Sequence, residues 1–125
     1  MNLKFQVKLE IMEDLIISTL SKLGYPVKQQ GSLQPEEAYP DHFFTFWNDA
    51  TDGSGFYSNT ETAIVWQYSI NFYSTDPEKI GSEFLKAKQL LKAAGFIVTG
   101  FGYSLPSDEP THTGRGITVL YKQVQ

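Results

Sequence analysis

The densest run of chemically capable side chains in this 125-residue chain is Ser107-Asp108-Glu109-Pro110-Thr111-His112-Thr113-Gly114-Arg115. It contains hydroxyls, two carboxylates, an imidazole and a guanidinium. A transition-metal centre needs three or four ligands, and His42, the other histidine, is remote in sequence, so His112 is expected on a solvent-exposed loop. Ser107 or Thr111 with His112 and Asp108 has the residue types of a hydrolytic triad. Residues this close in sequence rarely reach triad geometry, however, and no nucleophile-elbow glycines flank the serine. Arg115, the sole arginine, stands between Gly114 and Gly116. Its planar fork suits a carboxylate of another chain or the acids of its own loop, Asp108 and Glu109, because both use the same bidentate geometry.

The remaining candidates are weaker. Asp49, Asp52 and Glu61 are oxygen donors of the kind calcium and magnesium prefer, but they lack the ordered spacing of a calcium loop and read as solvated turn acids. Gly53-Ser54-Gly55 and Gly100-Phe101-Gly102 lack the longer glycine spacing of phosphate-cradling loops. Trp47, Trp66, Tyr68 and Tyr73 have the stacking surface for a base or sugar, yet most are expected in the core. No catalytic, cofactor or metal site is therefore assigned, and the chain is read as a non-enzyme.

These residues must be positioned by helices and strands with legible signals. Leu3 to Ile11 alternates like a strand, but Leu9, Met12, Ile16, Leu20 and Leu23 recur at helical spacing, and a helix over residues 6–23, ended by Gly24 and Tyr25-Pro26, is expected. Val27 to Gln29 begins a short strand before a surface loop, Gly31 to Pro40. His42 to Asn48 is an aromatic strand. Asp49 to Gly55 is rich in turn formers and reads as a flexible loop, leaving Phe56 to Ser58 loosely paired. Thr62 to Ser74 alternates Ile64, Trp66, Tyr68, Ile70 and Phe72 with more polar residues, the pattern of a strand with one buried face.

Asp76-Pro77-Glu78 starts a second helix: the Asp caps, Pro suits the first helical position, and Glu opposes the positive helix end. That helix is expected to run to Ala94 with an apolar stripe of Ile80, Phe84, Ala87, Leu91 and Ala94. Strands Phe96 to Tyr103, with Gly100 and Gly102 marking a bulge or close backbone approach, and Gly116 to Lys122 follow. The sum is one α+β domain over residues 1–125, a mainly antiparallel sheet packed against two helices in the order α-β-β-β-α-β-β.

Composition narrows the function. The absence of cysteine removes disulfide and thiol chemistry. No apolar run reaches membrane-spanning length, no signal-peptide core opens the chain, and no membrane association is expected. A formal net charge of -4 argues against general nucleic-acid binding, which depends on basic residues meeting phosphates. Charge is also segregated: Gln29 to Glu78 contains acids but no Lys or Arg, while Lys79, Lys86, Lys88 and Lys92 follow within one predicted helix. This is the pattern of a solvated helix with acidic loops, or of head-to-tail contacts between identical subunits.

The Asp108-Glu109-Pro110-Thr111-His112-Thr113-Gly114-Arg115 segment, the aromatic strand around Trp47, and the Trp66 to Asp76 stretch entering a helix together resemble small tail-completion or tail-terminator proteins of long-tailed phages and prophages of Gram-positive bacteria. The resemblance implies an assembly protein that caps the tail tube and joins it to the head-completion complex. Such proteins commonly form rings, often hexameric, through which DNA passes without specific binding. It also implies a location in the host cytoplasm during assembly and at the tail-head junction of the virion. Carried onto this chain, it makes Asp108, Glu109, His112, Arg115, Asp49, Asp52, Lys79, Lys86, Lys88 and Lys92 candidate contacts with other subunits or the tail tube. Another neck or minor tail role, such as head closure, and a small cytoplasmic ligand-binding domain are the alternatives.

Overall fold

A computed structural model describes residues 3–30, 39–57, 60–107 and 109–124. Helix α1 (Leu3–Leu20) ends in a 3-10 turn (Ser21–Leu23) and is followed by strands β1 (Val27–Gln29), β2 (His42–Tyr57) and β3 (Thr60–Ser74). Helix α2 (Pro77–Ala93) and strands β4 (Tyr103–Leu105) and β5 (Thr113–Val124) complete the chain. The α+β class and element order are those expected from sequence.

The five strands form one sheet in the order β1-β2-β3-β5-β4, with β1 parallel to β2 and every other pair antiparallel. Strand β3 lies at its centre and pairs along nearly its full length with β2 on one side and β5 on the other. Its alternation has the predicted result. Trp66, Tyr68, Ile70 and Phe72 are buried beneath the helices, beside Phe44 and Phe46 of β2 and Ile117 and Val119 of β5. Met12, Ile16 and Leu20 of α1 and Phe84, Ala87 and Leu91 of α2 close over this face. At ~1.5–3 kcal/mol for each large side chain buried, these residues dominate the attractive side of folding, against the chain entropy lost. The Trp66 indole N–H donates to Gln123 Oε1 at 3.3 Å, so its polar edge is satisfied at the core margin.

The helix signals act as read. Gly24 takes a left-handed conformation, φ 87°, and donates its N–H to Ser21 O. Asp76 accepts from Glu78 N–H at 3.0 Å at the start of α2, with Pro77 in its first turn.

Three local expectations are overturned. The turn formers Asp49 to Gly55 do not form a flexible loop; β2 runs on as a strand to Tyr57, with Phe56 opposite Glu61 and Tyr57 opposite Thr60. Pairing with β3 overrides the local turn preference, and the misfit is absorbed in one bulge between Asn48 and Ala50. The Asn48 amide bridges it, donating to the carbonyls of Ala50 and Gln67 at 3.1 Å each. Second, Phe96 to Tyr103 is not a strand. Ile97 makes a single bridge to Leu120, Phe96 and Val98 turn into the core, and β4 begins only at Tyr103. Third, β5 starts at Thr113, so Thr113, Gly114 and Arg115 belong to a strand rather than to a loop. Residues 31–38 of the expected Gly31 to Pro40 loop, Ser58, and Asp108 lie outside the described residues.

Gly102 explains why the Phe96 to Tyr103 segment breaks. Its φ of +75° favours glycine, and a Cβ there would lie 2.2 Å from Gly116 O and 3.0 Å from Phe84 Cζ. The expected close approach is thus at Gly102, against β5 and α2 together. Gly102→Ala is expected to cost about 1–3 kcal/mol of unfolding free energy through combined strain and backbone contact. Urea denaturation with an unchanged slope and a lowered midpoint is the check; a wild-type midpoint would show that this turn relaxes freely.

Candidate functional site

Among the described residues, the chemically rich segment does not converge on one centre. His112 is 8% exposed, against the expectation of a solvent-exposed loop histidine. Its Nε2 lies 2.8 Å from Pro40 O, and a carbonyl can only accept, so Nε2 carries the proton in this contact. Nδ1 lies 3.0 Å from the Thr111 hydroxyl, which donates to it when the ring is neutral. The ring also meets Phe43 and Tyr39 edge-on. His112 therefore ties the turn before β5 to the segment entering β2. The surrounding aromatic layer, on the sheet face away from the helices, continues with Tyr73 stacked on Phe43. Gly114 lies directly under Tyr73, where a Cβ would fall 2.6 Å from its Cε1.

A serine–histidine pair that sequence reasoning missed does form. His42 Nδ1 is 2.7 Å from Ser74 Oγ. The serine is fully buried and its Oγ already accepts the Asp76 N–H at 2.9 Å, while Asp76 itself caps α2. The string His42–Ser74–Asp76 thus fixes the β3-to-α2 turn. The sequence signal for it was the buried-strand register of Ser74, four residues after Ile70 on the same face.

Of the two loop acids weighed as partners of Arg115, Asp108 lies outside the described residues, and among the described residues Glu109 makes no ion pair with Arg115. Its Nε donates to Phe101 O at 2.7 Å and its Nη2 to Gly102 O at 3.4 Å, while its guanidinium stands over the Phe84 ring at 5.9 Å. Lys88 reaches the same turn, donating to Gly100 O with its ammonium 4.2 Å from the centre of the Phe101 ring. Arg115 and Lys88 thus grip the turn carrying Phe101, and with Gly81, Phe84, Leu85 and Phe101 they line a hollow of about 280 Å³. Phe101 is 69% exposed and Leu85 is also exposed.

The other candidates separate. At about 100° per residue, Lys88 and Lys92 lie on the flank of α2 nearest this hollow, and Lys79 and Lys86 on the opposite flank. Lys86 pairs with the nearly buried Glu83 at 3.3 Å. Asp49 and Asp52 are exposed on β2, whereas all four lysines are on α2; Asp49 accepts from the Ser69 hydroxyl at 2.6 Å. Trp47, one of four aromatics most of which were expected in the core, is 47% exposed beside them. Among the described residues no group of three or more His, Cys, Asp or Glu side chains could hold a metal ion. Also among them, no helix is long and apolar enough to cross a membrane. The sequence matches no protein-family model and no curated protein.

One ionisable pair sits at the core margin. The Tyr68 hydroxyl is buried without a partner among the described residues, and burial, reinforced by the Glu13 carboxylate, raises its pKa far above the ordinary phenol range. The Glu13 pKa is raised by burial first, then by Asp14 and Glu10. A carboxyl whose pKa is higher folded than unfolded binds its proton more tightly in the native state. Stability therefore falls as pH rises from the ordinary glutamate value through the raised one. Glu13→Gln is expected to flatten that slope and to raise the urea midpoint at neutral pH, as read from denaturation at a series of pH values. Tyr68→Phe should leave the midpoint equal or higher, because it deletes an unpaired buried hydroxyl. A marked loss in the phenylalanine variant would show that the hydroxyl has a partner.

Proposed function

We propose that the protein is a phage or prophage virion assembly protein that caps the tail tube and joins it to the head-completion complex, acting as a ring of identical subunits. The observation that supports this reading most directly is the separation of charge onto different surfaces of one rigid sheet. The exposed acids Asp49 and Asp52 lie on β2, whereas Arg115 of β5 stands opposite Phe72, toward the other end of β3, and shares a hollow with Lys88 of α2. Complementary patches that are not the same patch make heterologous contacts, and these close into rings when the rotation allows. The resemblance carried by the Trp47 strand, the Trp66 to Asp76 stretch and the loop leading to Arg115 supplies the tail tube and the head-completion protein as neighbours. DNA passing through such a ring meets an acidic protein, whose field opposes phosphate adhesion.

A second reading is a small ligand-binding domain, and the observation that favours it is the apolar hollow under Phe101 with two cations on its rim.

Light scattering across concentration and salt, followed by electron microscopy with purified tail tubes, tests the first reading. A closed ring, or density at tube ends, is expected, with the assembly loosening as salt rises because partly exposed charges are screened. A species that stays monomeric and ignores tubes would sink the proposal and shift attention to the hollow.

A further inference from the structure

The cations around the hollow have no carboxylate partner among the described residues, where the one ion pair is Lys86–Glu83. Arg115 and Lys88 spend part of their donor capacity on backbone carbonyls of the Phe101 turn, and each retains N–H groups. Beside them, Phe101 and Leu85 are exposed apolar surface. A site with this composition selects an occupant that brings an acid and an aromatic or aliphatic group together.

The chain carries such a surface on β2, where Trp47, Asp49 and Asp52 are all exposed. The same molecule cannot deliver it to its own hollow, for two reasons. Directly opposed residues of an antiparallel pair share a face. Arg115 opposes Phe72 on the helix-covered face, whereas Trp47 opposes Ser69, which alternates with the buried Tyr68 and Ile70 and so faces away from the helices. Asp52 opposes Val65, which puts it ~23 Å along β3 from the position of Arg115 at about 3.3 Å per residue.

Resting on the ring reading above, we infer that the hollow lined by Phe84, Leu85, Lys88, Phe101 and Arg115 is the socket for Trp47, Asp49 and Asp52 of a second copy of this chain. The contact joins opposite faces of two molecules, so each subunit keeps one free socket and one free acidic strand until the assembly closes. Carboxylates of the incoming strand meet the free N–H groups of Arg115 and Lys88, and Trp47 covers Leu85 and Phe101.

The chain has no cysteine, so introduced thiols report proximity without background. Asp52→Cys protein is mixed with Leu85→Cys protein under mild oxidation, and with Ile11→Cys protein as a control on the exposed side of α1. The mixed Asp52–Leu85 disulfide is expected to dominate over both homodimers and over the control pair. Lys88→Glu is expected to weaken self-association about tenfold or more, and Asp52→Lys in the same chain to restore it, which a misfolded variant would not do. Equal cross-linking of all pairs, no rescue, or a protein monomeric at every concentration overturns the socket. An oligomer that forms without this cross-link overturns the socket and leaves tail capping standing. A cross-linked oligomer that ignores tail tubes supports the socket and removes tail capping.

Discussion

The continuous pairing of β3 with both β2 and β5 is the constraint from which the rest of the domain follows. A strand held on both edges has a fixed register, and a one-residue slip would exchange its buried and exposed faces. Because Trp66, Tyr68, Ile70 and Phe72 must all stay under the helices, that slip is forbidden along the whole strand. The same pairing draws Asp49 to Tyr57 out of the turn their composition favours, and it sets the positions of Arg115 and Thr113 on β5.

Among the described residues, the sheet is packed on both faces only at one end. Near Ser74 the face away from the helices is packed by Phe43, Tyr73 and His112, with Asn71 donating to Thr45 Oγ1 at 3.3 Å. Toward Asp52 the described residues of that face include the exposed Trp47, Asp49 and Asp52. A polar, aromatic surface therefore begins where the second layer stops, on the same strand. The packed end and the solvent-facing end are parts of one element, joined by the backbone hydrogen bonds of β2 and β3.

The sequence made the fold legible where period, cap and burial agreed. The alternation of β3, the Asp76-Pro77 start of α2 and the glycine after α1 each had one local cause, and the structure shows each. It was illegible where long-range pairing opposed local preference, as in Asp49 to Gly55, or where a broken segment mimicked a strand, as in Phe96 to Tyr103. The sites were less legible still. Nothing local distinguishes a buried His112 from an exposed one, since its burial depends on Pro40 and Phe43, remote in sequence. Arg115 could be singled out by rarity, but its partners at Phe101 and Gly102 are backbone atoms that no side-chain pattern announces.

The bulge beside Asn48 bears on solubility as well as on shape. Among the described residues β1 pairs only with Phe44 to Phe46, so the far half of β2 faces outward as a bordering strand. Such borders invite indiscriminate strand addition, and bulges and charged side chains blunt them. Asp49, Asp52 and Gly53 are all found there, directly after the kink clamped by Asn48. These features disfavour main-chain pairing with a further strand at this border. Any contact at this border is left to side chains, whose grip, unlike main-chain pairing, each substitution can tune, reverse or make selective.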